Sequence, residues 1–281
     1  MPKHLASTEA HGVVYKVALV TVTAVMALVV VVSTALLLRG DRYFIIESPS
    51  MGVTAPVGTL VVTTPVPWSD LRVGDIITFH PPTDPRETFT HRIVAITAHG
   101  IGTKGDLNTS RDAWLLGPGD IVGRAEFLWT GWGWFVQALP WLVGVTLVLW
   151  WATRRLTHRD QRWALRHLGL VSTAVILARY FHVLFNVVPL GETSTGTATS
   201  IHLVSEGLVP LRLDVAGESS QFLSYGHSTT LKVVATGSRH VYRVSEHAVL
   251  DPTIIGVIMA LSIVPYVVVT WHNRRHPPVS A

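Results

Sequence analysis

Five polar side chains between residues 48 and 112 have the types needed for acyl transfer through a serine nucleophile. Ser48 and Ser50 lie in SPSM, His91 lies in THRIV, and Asp106 and Asp112 stand six residues apart in KGDLNTSRD. A serine hydroxyl needs an adjacent base, and a neutral imidazole suits that role because its pKa lies near working pH. An aspartate can fix the tautomer of such a base. Each segment alone is a weak signal, since a single histidine in a strand is more often structural.

Composition restricts the classes of protein that could carry this chemistry. The chain has 281 residues and no cysteine, which excludes disulfide scaffolds, thiolate metal sites and cysteine nucleophiles. Charged residues make up 14%, against roughly 25% in ordinary soluble domains, while hydrophobic residues make up 48%. The net charge of +4 comes mostly from residues beside long apolar runs. It therefore indicates loops at a lipid surface and argues against nucleic-acid binding.

Four long apolar runs predict transmembrane helices, since about 20 apolar residues cross a bilayer core of about 30 Å. The first run, Val13–Leu38, is longer than the apolar part of a cleavable signal peptide, which is its alternative interpretation. The alternative for the second run is a buried core segment. The third run contains Arg179 and His182, which share a helix face and are expected to turn toward other helices or the interface. We predict an N-terminus and first span at 1–38, further spans at 135–152 and 167–188, and a fourth span with a basic tail at 252–281.

Arginine-rich loops predict the orientation of these spans. The loop 153–166 contains five arginines, and Arg274 and Arg275 follow the fourth span. Positively charged loops stay in the cytoplasm. Four spans then put both termini and this loop inside the cell, and residues 39–134 and 189–251 outside. The number of spans and the position of the charges agree independently.

Both predicted outer regions have the pattern of β-structure. In residues 39–134, the runs TLVVTTPV, DIITFH and HRIVAI are rich in β-branched residues and bounded by Pro, Gly and Asp. Residues 189–251 alternate with period two and contain turn glycines, which predicts a second small β-rich domain. The stretch GETSTGTATS within it is predicted to be a linker. The second domain carries no chemical motif, and its role stays open.

Taken in this order behind the first span, the polar segments resemble the type I signal peptidases, in the subtype shared by archaea, the endoplasmic reticulum and some Gram-positive bacteria. In that subtype a Ser-Met pair follows the first span, and a histidine, a Gly-Asp-x-Asn segment and a later aspartate come after it. A Gly-Asp strand lies between the serine and the histidine. The resemblance covers roughly residues 14–150, and its matching residues are Ser50-Met51, Val73-Gly74-Asp75-Ile76-Ile77, His91, Gly105-Asp106-Leu107-Asn108 and Asp112.

The resemblance implies a role for each of these polar side chains. Ser50 is the expected nucleophile and His91 the expected general base. Orientation of the base is assigned to Asp112, with Asp106 as the open alternative and otherwise as an organiser of the site. The backbone N–H of Ser50 and the hydroxyl of Ser48 are the family's candidates for oxyanion donors. No metal or cofactor is implied, and no residue spacing suggests one.

The resemblance also implies a fold. We expect a membrane protein with α-helical spans, an extracytoplasmic β-rich catalytic domain of signal-peptidase type, and a second small β-rich extracytoplasmic domain. One departure affects the substrate cleft. Many relatives have a proline two residues after the methionine, but here that position is Val53 and the nearest proline is Pro56. We expect the cleft wall, and so the specificity, to differ more than the mechanism.

The expected function is removal of signal peptides from secretory preproteins at the outer face of the cell membrane. Ser50 follows Leu38 by about a dozen residues, which puts it within roughly 40 Å of the bilayer. Signal peptides and membrane lipids are thus the expected partners, with no nucleic acid. One alternative is a membrane-anchored, non-catalytic binding or assembly module. Another is a self-cleaving serine protease of the LexA-like fold, a group that uses a lysine base and is usually soluble.

Overall fold

The chain contains two β domains, one before and one after a pair of long helices. The computed structural model describes the residues given at the end of this paragraph. An apolar helix, α1 (Ala27–Leu38), precedes the first β domain. It occupies the second half of the predicted first span, and the first half lies mostly outside the described residues. Those described are 17, 20, 21, 23, 24, 27–195, 198–215, 220–234 and 244–275.

The first β domain is a single antiparallel sheet with the order β1-β2-β6-β3-β4-β5. The β-rich character predicted for residues 39–134 is therefore confirmed. Strands β1 and β5 are the outermost strands of the sheet. Strand β1 pairs with β2, and β5 pairs with β4 and forms one further bridge, from Ile101 to Leu116. The strands are β1 (Arg42–Ile45), β2 (Leu60–Thr64), β3 (Ile76–Phe79), β4 (Phe89–Thr97), β5 (Gly100–Lys104) and β6 (Ile121–Trp129).

Two apolar clusters hold this sheet and position the segments that carry the polar motifs. One cluster, which includes Phe79, Ile93 and Ile101, lies beneath β3, β4 and β5. The other joins Ile46 and Met51 to the sheet, together with Ala55 and Val61. Met51 is only 1% exposed. Burial of an apolar side chain of this size contributes roughly 1.5–3 kcal/mol, so Met51 anchors the residue beside Ser50.

Three further helices follow: α2 (Trp132–Thr153), α3 (Arg159–Tyr180) and α4 (Pro252–Arg275). Helix α3 contacts both neighbours, since Arg166 Nε donates to Thr153 Oγ1 at 2.7 Å and His167 Nε2 lies 2.8 Å from the Ser262 carbonyl oxygen. Among the described residues, α2 alone is long and apolar enough to cross a membrane, judged by length and composition. The four-span topology stays a prediction.

Helix α3 begins and ends earlier than the predicted third span at 167–188. Its first turns use the arginine-rich sequence that we predicted to be a loop. Its end is a Schellman motif, in which Val183 N–H donates to Ala178 O at 2.9 Å and His182 N–H to Arg179 O at 3.3 Å. His182 takes the left-handed position with φ of 55°. Glycine usually occupies that position, so the usual C-terminal signal of a helix is missing here.

The second β domain consists of two three-stranded antiparallel sheets, ordered β11-β8-β7 and β10-β9-β12. Leu203 and Leu231 of the first sheet pack with Leu213 and Leu223 of the second, so the two sheets share one core. The prediction that GETSTGTATS is a linker is wrong, because the described residues of this stretch belong to the paired strands β7 and β8. The strands are β7 (Val187–Thr195), β8 (Ala198–Ser205), β9 (Leu211–Val215), β10 (Gln221–Leu223), β11 (Ser228–Val234) and β12 (Val244–Ala248).

Candidate active site

Ser50 lies in a tight turn that we call the nucleophile segment, residues 48–58. Ser48 is extended, with φ of −122° and ψ of 148°, and a 3₁₀ helix (Pro49–Thr54) follows it. Gly52 interrupts that helix with φ of 52° and ψ of −134°, a conformation that only glycine adopts readily. A Cβ atom there would also lie 2.9 Å from Leu107 Cγ. The turn therefore requires glycine and fixes the backbone directly after Ser50.

The side chain of Ser50 contacts the imidazole of His91, as the predicted nucleophile and base should. Ser50 Oγ lies 3.0 Å from His91 Nε2. His91 comes from β4 and is only 4% exposed. Its ring makes edge contacts with Phe79 and Phe89, at centroid distances of 6.1 and 5.7 Å. The two phenyl rings thus hold the imidazole in place, and the imidazole contacts Ser50 through Nε2.

The other imidazole nitrogen is held by Asp112. Asp112 Oδ2 lies 2.8 Å from His91 Nδ1 and also accepts a hydrogen bond from Thr103 Oγ1 at 2.6 Å. The backbone N–H of Asp112 donates to the Thr103 carbonyl at 2.9 Å, which fixes the loop to β5. The Asp112 side chain is 7% exposed. A carboxylate that accepts from Nδ1–H leaves Nε2 unprotonated in the neutral ring, so Nε2 can accept the Ser50 proton.

Gly105 explains why the Gly-Asp segment can approach the nucleophile. A Cβ atom on Gly105 would lie 2.8 Å from Ser50 Cβ and 2.9 Å from the Ser50 carbonyl oxygen. The backbone N–H of Leu107 donates to that same carbonyl oxygen at 2.8 Å. A larger residue at position 105 would push the two segments apart. Glycine is therefore required here for close packing and not for an unusual backbone conformation.

Asp106 does not touch His91 and instead pairs with Arg92, the next residue along β4. Arg92 Nε and Nη2 donate to its two carboxylate oxygens at 2.8 and 2.7 Å, and Thr54 Oγ1 donates at 2.7 Å. Burial acts to raise the pKa of Asp106, but the hydrogen bonds from Arg92 and Thr54 and the positive charge of Arg92 outweigh it and lower the pKa. Asp106 thereby ties the nucleophile segment, through Thr54, to β4.

Ser48 lies beside the nucleophile on the solvent side. Its hydroxyl oxygen is 3.2 Å from Ser50 Oγ. The five predicted residues therefore fall into two groups. Ser48, Ser50, His91 and Asp112 form one chain of contacts, and Asp106 belongs to a neighbouring ion pair.

A groove of about 640 Å³ opens beside Ser50. One side is formed by β1 and the residues after it, including Phe44, Ile46 and Glu47, and the other by Glu87–Thr90 at the start of β4. Because β1 is an edge strand, part of its backbone has no neighbouring strand within the sheet. The groove therefore lies between the predicted nucleophile and an edge to which an extended peptide could add.

Sequence reasoning missed several residues that build this site. Arg92 follows the predicted base directly, so its proximity could have been inferred, but its partner Asp106 is distant in sequence. Thr103 and Thr54 carry no local signal, because ordinary threonines in a strand and a turn look the same. Among the described residues, no cluster of three or more His, Cys, Asp or Glu side chains could hold a metal ion.

The hydrogen-bonded order Ser50, His91, Asp112 has the arrangement of a Ser-His-Asp triad, which defines a serine hydrolase class of site. Residues 15–107 match the family model described as signal peptidase, peptidase S26. The match confirms the resemblance to type I signal peptidases. It includes Ser48, Ser50, His91 and Asp106 and ends before Asp112. Among curated proteins, none matches this chain.

Proposed function

We propose that this chain is a membrane-bound serine endopeptidase that removes signal peptides from exported proteins at the outer face of the membrane. The observation that carries the proposal is the contact of Ser50 Oγ with His91 Nε2 at 3.0 Å, continued by His91 Nδ1 and Asp112 at 2.8 Å. The family match supplies the substrate class. The adjacent groove supports an extended peptide as the form in which the substrate binds.

Each residue has a defined part in the proposed reaction. Ser50 Oγ attacks the scissile carbonyl carbon while its proton passes to His91 Nε2, and Asp112 stabilises the resulting imidazolium. The oxyanion of the tetrahedral intermediate is stabilised by the Ser50 N–H and the Ser48 hydroxyl. The C–N bond then breaks as His91 returns the proton to the leaving amine. Water, deprotonated by His91, releases the signal peptide from Ser50 in the same way.

Cleavage of a purified preprotein in detergent micelles tests the proposal. The full chain should release the mature protein, whereas Ser50→Ala should lose activity by at least about 10³-fold. Thr109→Ala is a matched control in an exposed loop close in sequence to the site. A serine-directed acylating probe should label the wild type and not the Ser50 variant. A binding or assembly module would neither cleave nor be labelled, and that result would exclude the proposal.

The proposed location has its own test. Thr157, in the arginine-rich connection between α2 and α3, and Ser220, in the second β domain, are both exposed. Because the chain has no cysteine, a single cysteine at either position reports on that position alone. An impermeant thiol reagent applied to intact cells should label position 220 and leave position 157 unmodified. Labelling of position 157 would overturn the four-span orientation.

A further inference from the structure

Tyr225 and Gly226 of the second β domain contact the nucleophile segment. They lie in the turn between β10 and β11, which connects the two sheets of that domain. The Tyr225 hydroxyl donates a hydrogen bond to the carbonyl oxygen of Val57. Tyr225 is half-buried, and burial raises the pKa of its hydroxyl. The hydroxyl therefore stays protonated as a donor at neutral pH. This contact joins residues that are 168 positions apart in the sequence.

Gly226 packs against the same segment with no room for a side chain. Its φ of +74° lies in the left-handed region, and an added Cβ atom would lie 2.8 Å from Pro56 Cγ and 3.1 Å from the Gly52 carbonyl oxygen. This turn is itself fixed to the second domain, because Gly226 N–H donates to the carbonyl oxygen of buried Ser205 at 2.9 Å. The contact therefore links the nucleophile segment to a hydrogen-bonded turn of the second domain.

Helix α2 holds the other end of the nucleophile segment. Gly133 N–H donates to the Gly58 carbonyl oxygen at 2.9 Å. The indole of Trp134 covers Gly58 so closely that an added Cβ atom would lie 2.0 Å from its Nε1. The first β domain contributes Asp106 through Thr54, as described above. The segment after Ser50 therefore makes contacts with the first β domain, the second β domain and α2.

We propose that Tyr225 and Gly226 are positioning residues for Ser50, and that the second β domain serves as a brace for the nucleophile segment. The brace fixes residues 52–57, and through them the Ser50 hydroxyl and the N–H that faces the developing oxyanion. A displacement of about 1 Å in a catalytic group can cost roughly 100-fold in rate. The inference depends on the proposed role of Ser50 and gives the second domain a function that its sequence, without any chemical motif, does not indicate.

The test compares Tyr225→Phe and Gly226→Ala with Gly191→Ala in the full-length protein. An added Cβ atom on Gly191 meets nothing within 4 Å, so this variant controls for a glycine change in the same domain. We expect Tyr225→Phe to lower kcat about 5- to 20-fold and Gly226→Ala about 100-fold, with KM for a preprotein nearly unchanged. Gly191→Ala should match the wild type. Active protein is quantified by acylation of Ser50, so misfolded protein does not enter kcat.

Hydrogen exchange provides a second measurement that does not require activity. Peptides covering residues 50–58 should exchange faster in Tyr225→Phe than in the wild type, while the strands of the first β domain keep their protection. Unchanged exchange and unchanged kcat in Tyr225→Phe would overturn the brace. So would a rise in KM at constant kcat, which would indicate substrate binding instead. If the wild type itself fails to cleave, the proposed function fails, whereas faster exchange in the variant would still support the brace.

Discussion

Asp106 in the first β domain and Glu206 in the second respond to folding in opposite ways. In the first domain, Asp112 accepts hydrogen bonds from His91 and Thr103, and Asp106 is paired with Arg92. In the second domain, Glu206 accepts a hydrogen bond from the Asn186 amide at 2.6 Å, and burial raises the pKa of its carboxyl group despite the opposing effects of Asn186 and His182. The first domain thus stabilises Asp106 as an anion beside the proposed chemistry. In the second domain, Asp214 is also favoured as an anion, by Ser220 and Arg212 at the surface, but the half-buried Glu206 is disfavoured in its charged form.

The two domains meet the proposed site differently. In the first domain, His91 contacts Ser50 directly, Asp112 holds His91, and Asp106 holds the nucleophile segment through Thr54. Among the described residues, the second domain meets that segment through the hydrogen bond of Tyr225 to the Val57 carbonyl oxygen and through van der Waals contact of Gly226. Variants of charged groups should therefore affect catalysis most in the first domain, and mainly stability in the second.

The largest expected effect is loss of the base. His91→Ala should reduce signal-peptide cleavage by at least about 10³-fold, because Ser50 then has no proton acceptor. Lys104→Ala is the matched control, since Lys104 is a titratable residue at the end of the neighbouring strand β5 and lysine is the base of the family's other bacterial subtype. It should keep a substantial fraction of activity. Near-normal cleavage by His91→Ala together with loss in Lys104→Ala would reverse the assignment of the base.

The next largest effect separates the two aspartates of the first domain. Asp112→Asn should lower kcat by about 10²–10⁴-fold, because an amide can hold His91 in the wrong tautomer. Asp106→Asn removes an ion pair that does not touch the imidazole, so kcat should fall by no more than about 10-fold. Both variants are assayed on the same preprotein, with KM determined separately. A larger loss in Asp106→Asn would show that the ion pair with Arg92 controls the site.

Much of the site could be predicted from the sequence, because most of its residues lie in short, recognisable motifs. Ser50-Met51, His91 and Gly105-Asp106 each lie in a short segment whose residue types match a known pattern. Asp112 could be assigned only through the resemblance, and the choice between it and Asp106 depends on which loop folds back over β5. The position of that loop depends on tertiary structure, in particular on the hydrogen bond from Asp112 N–H to the Thr103 carbonyl oxygen. Sequence patterns do not report it.

Prediction of the fold succeeded where residue types are locally distinctive and failed where the end of a helix or a contact depends on distant residues. Runs of β-branched residues bounded by Pro, Gly and Asp predicted the β-rich character of the first domain. The end of α3 was missed, because His182 occupies a position that usually belongs to glycine. The contact of Tyr225 with Val57 could not be predicted, since nothing local distinguishes this tyrosine from any other in a turn. Contacts between residues so far apart in the chain leave no periodic pattern in the sequence.

The smallest expected effects concern stability, and they should have opposite signs for Asp106 and Glu206. The folded-state pKa of Asp106 is below its ordinary value of 3.8, so its ion pair stabilises the fold above that pH, and the stabilisation is lost as pH falls through the folded-state pKa. Asp106→Asn should therefore be less stable than the wild type at pH 7, by about 1 kcal/mol or less for a partly exposed pair. The difference should shrink in acid. Thermal unfolding in detergent across pH measures it.

For Glu206 the sign is reversed. Its folded-state pKa is above its ordinary value of 4.5, so the wild type loses stability as pH rises from there through the raised pKa. A glutamine at this position can still accept the hydrogen bond from Asn186 but carries no charge. We therefore expect Glu206→Gln to match the wild type near pH 4 and to exceed it at pH 8, by less than about 1 kcal/mol, because solvent screens a half-buried carboxyl group. Cleavage activity should be unchanged. If Glu206→Gln is instead destabilised at pH 8, the carboxylate is stabilising the second domain as an anion, and the contrast between Asp106 and Glu206 fails.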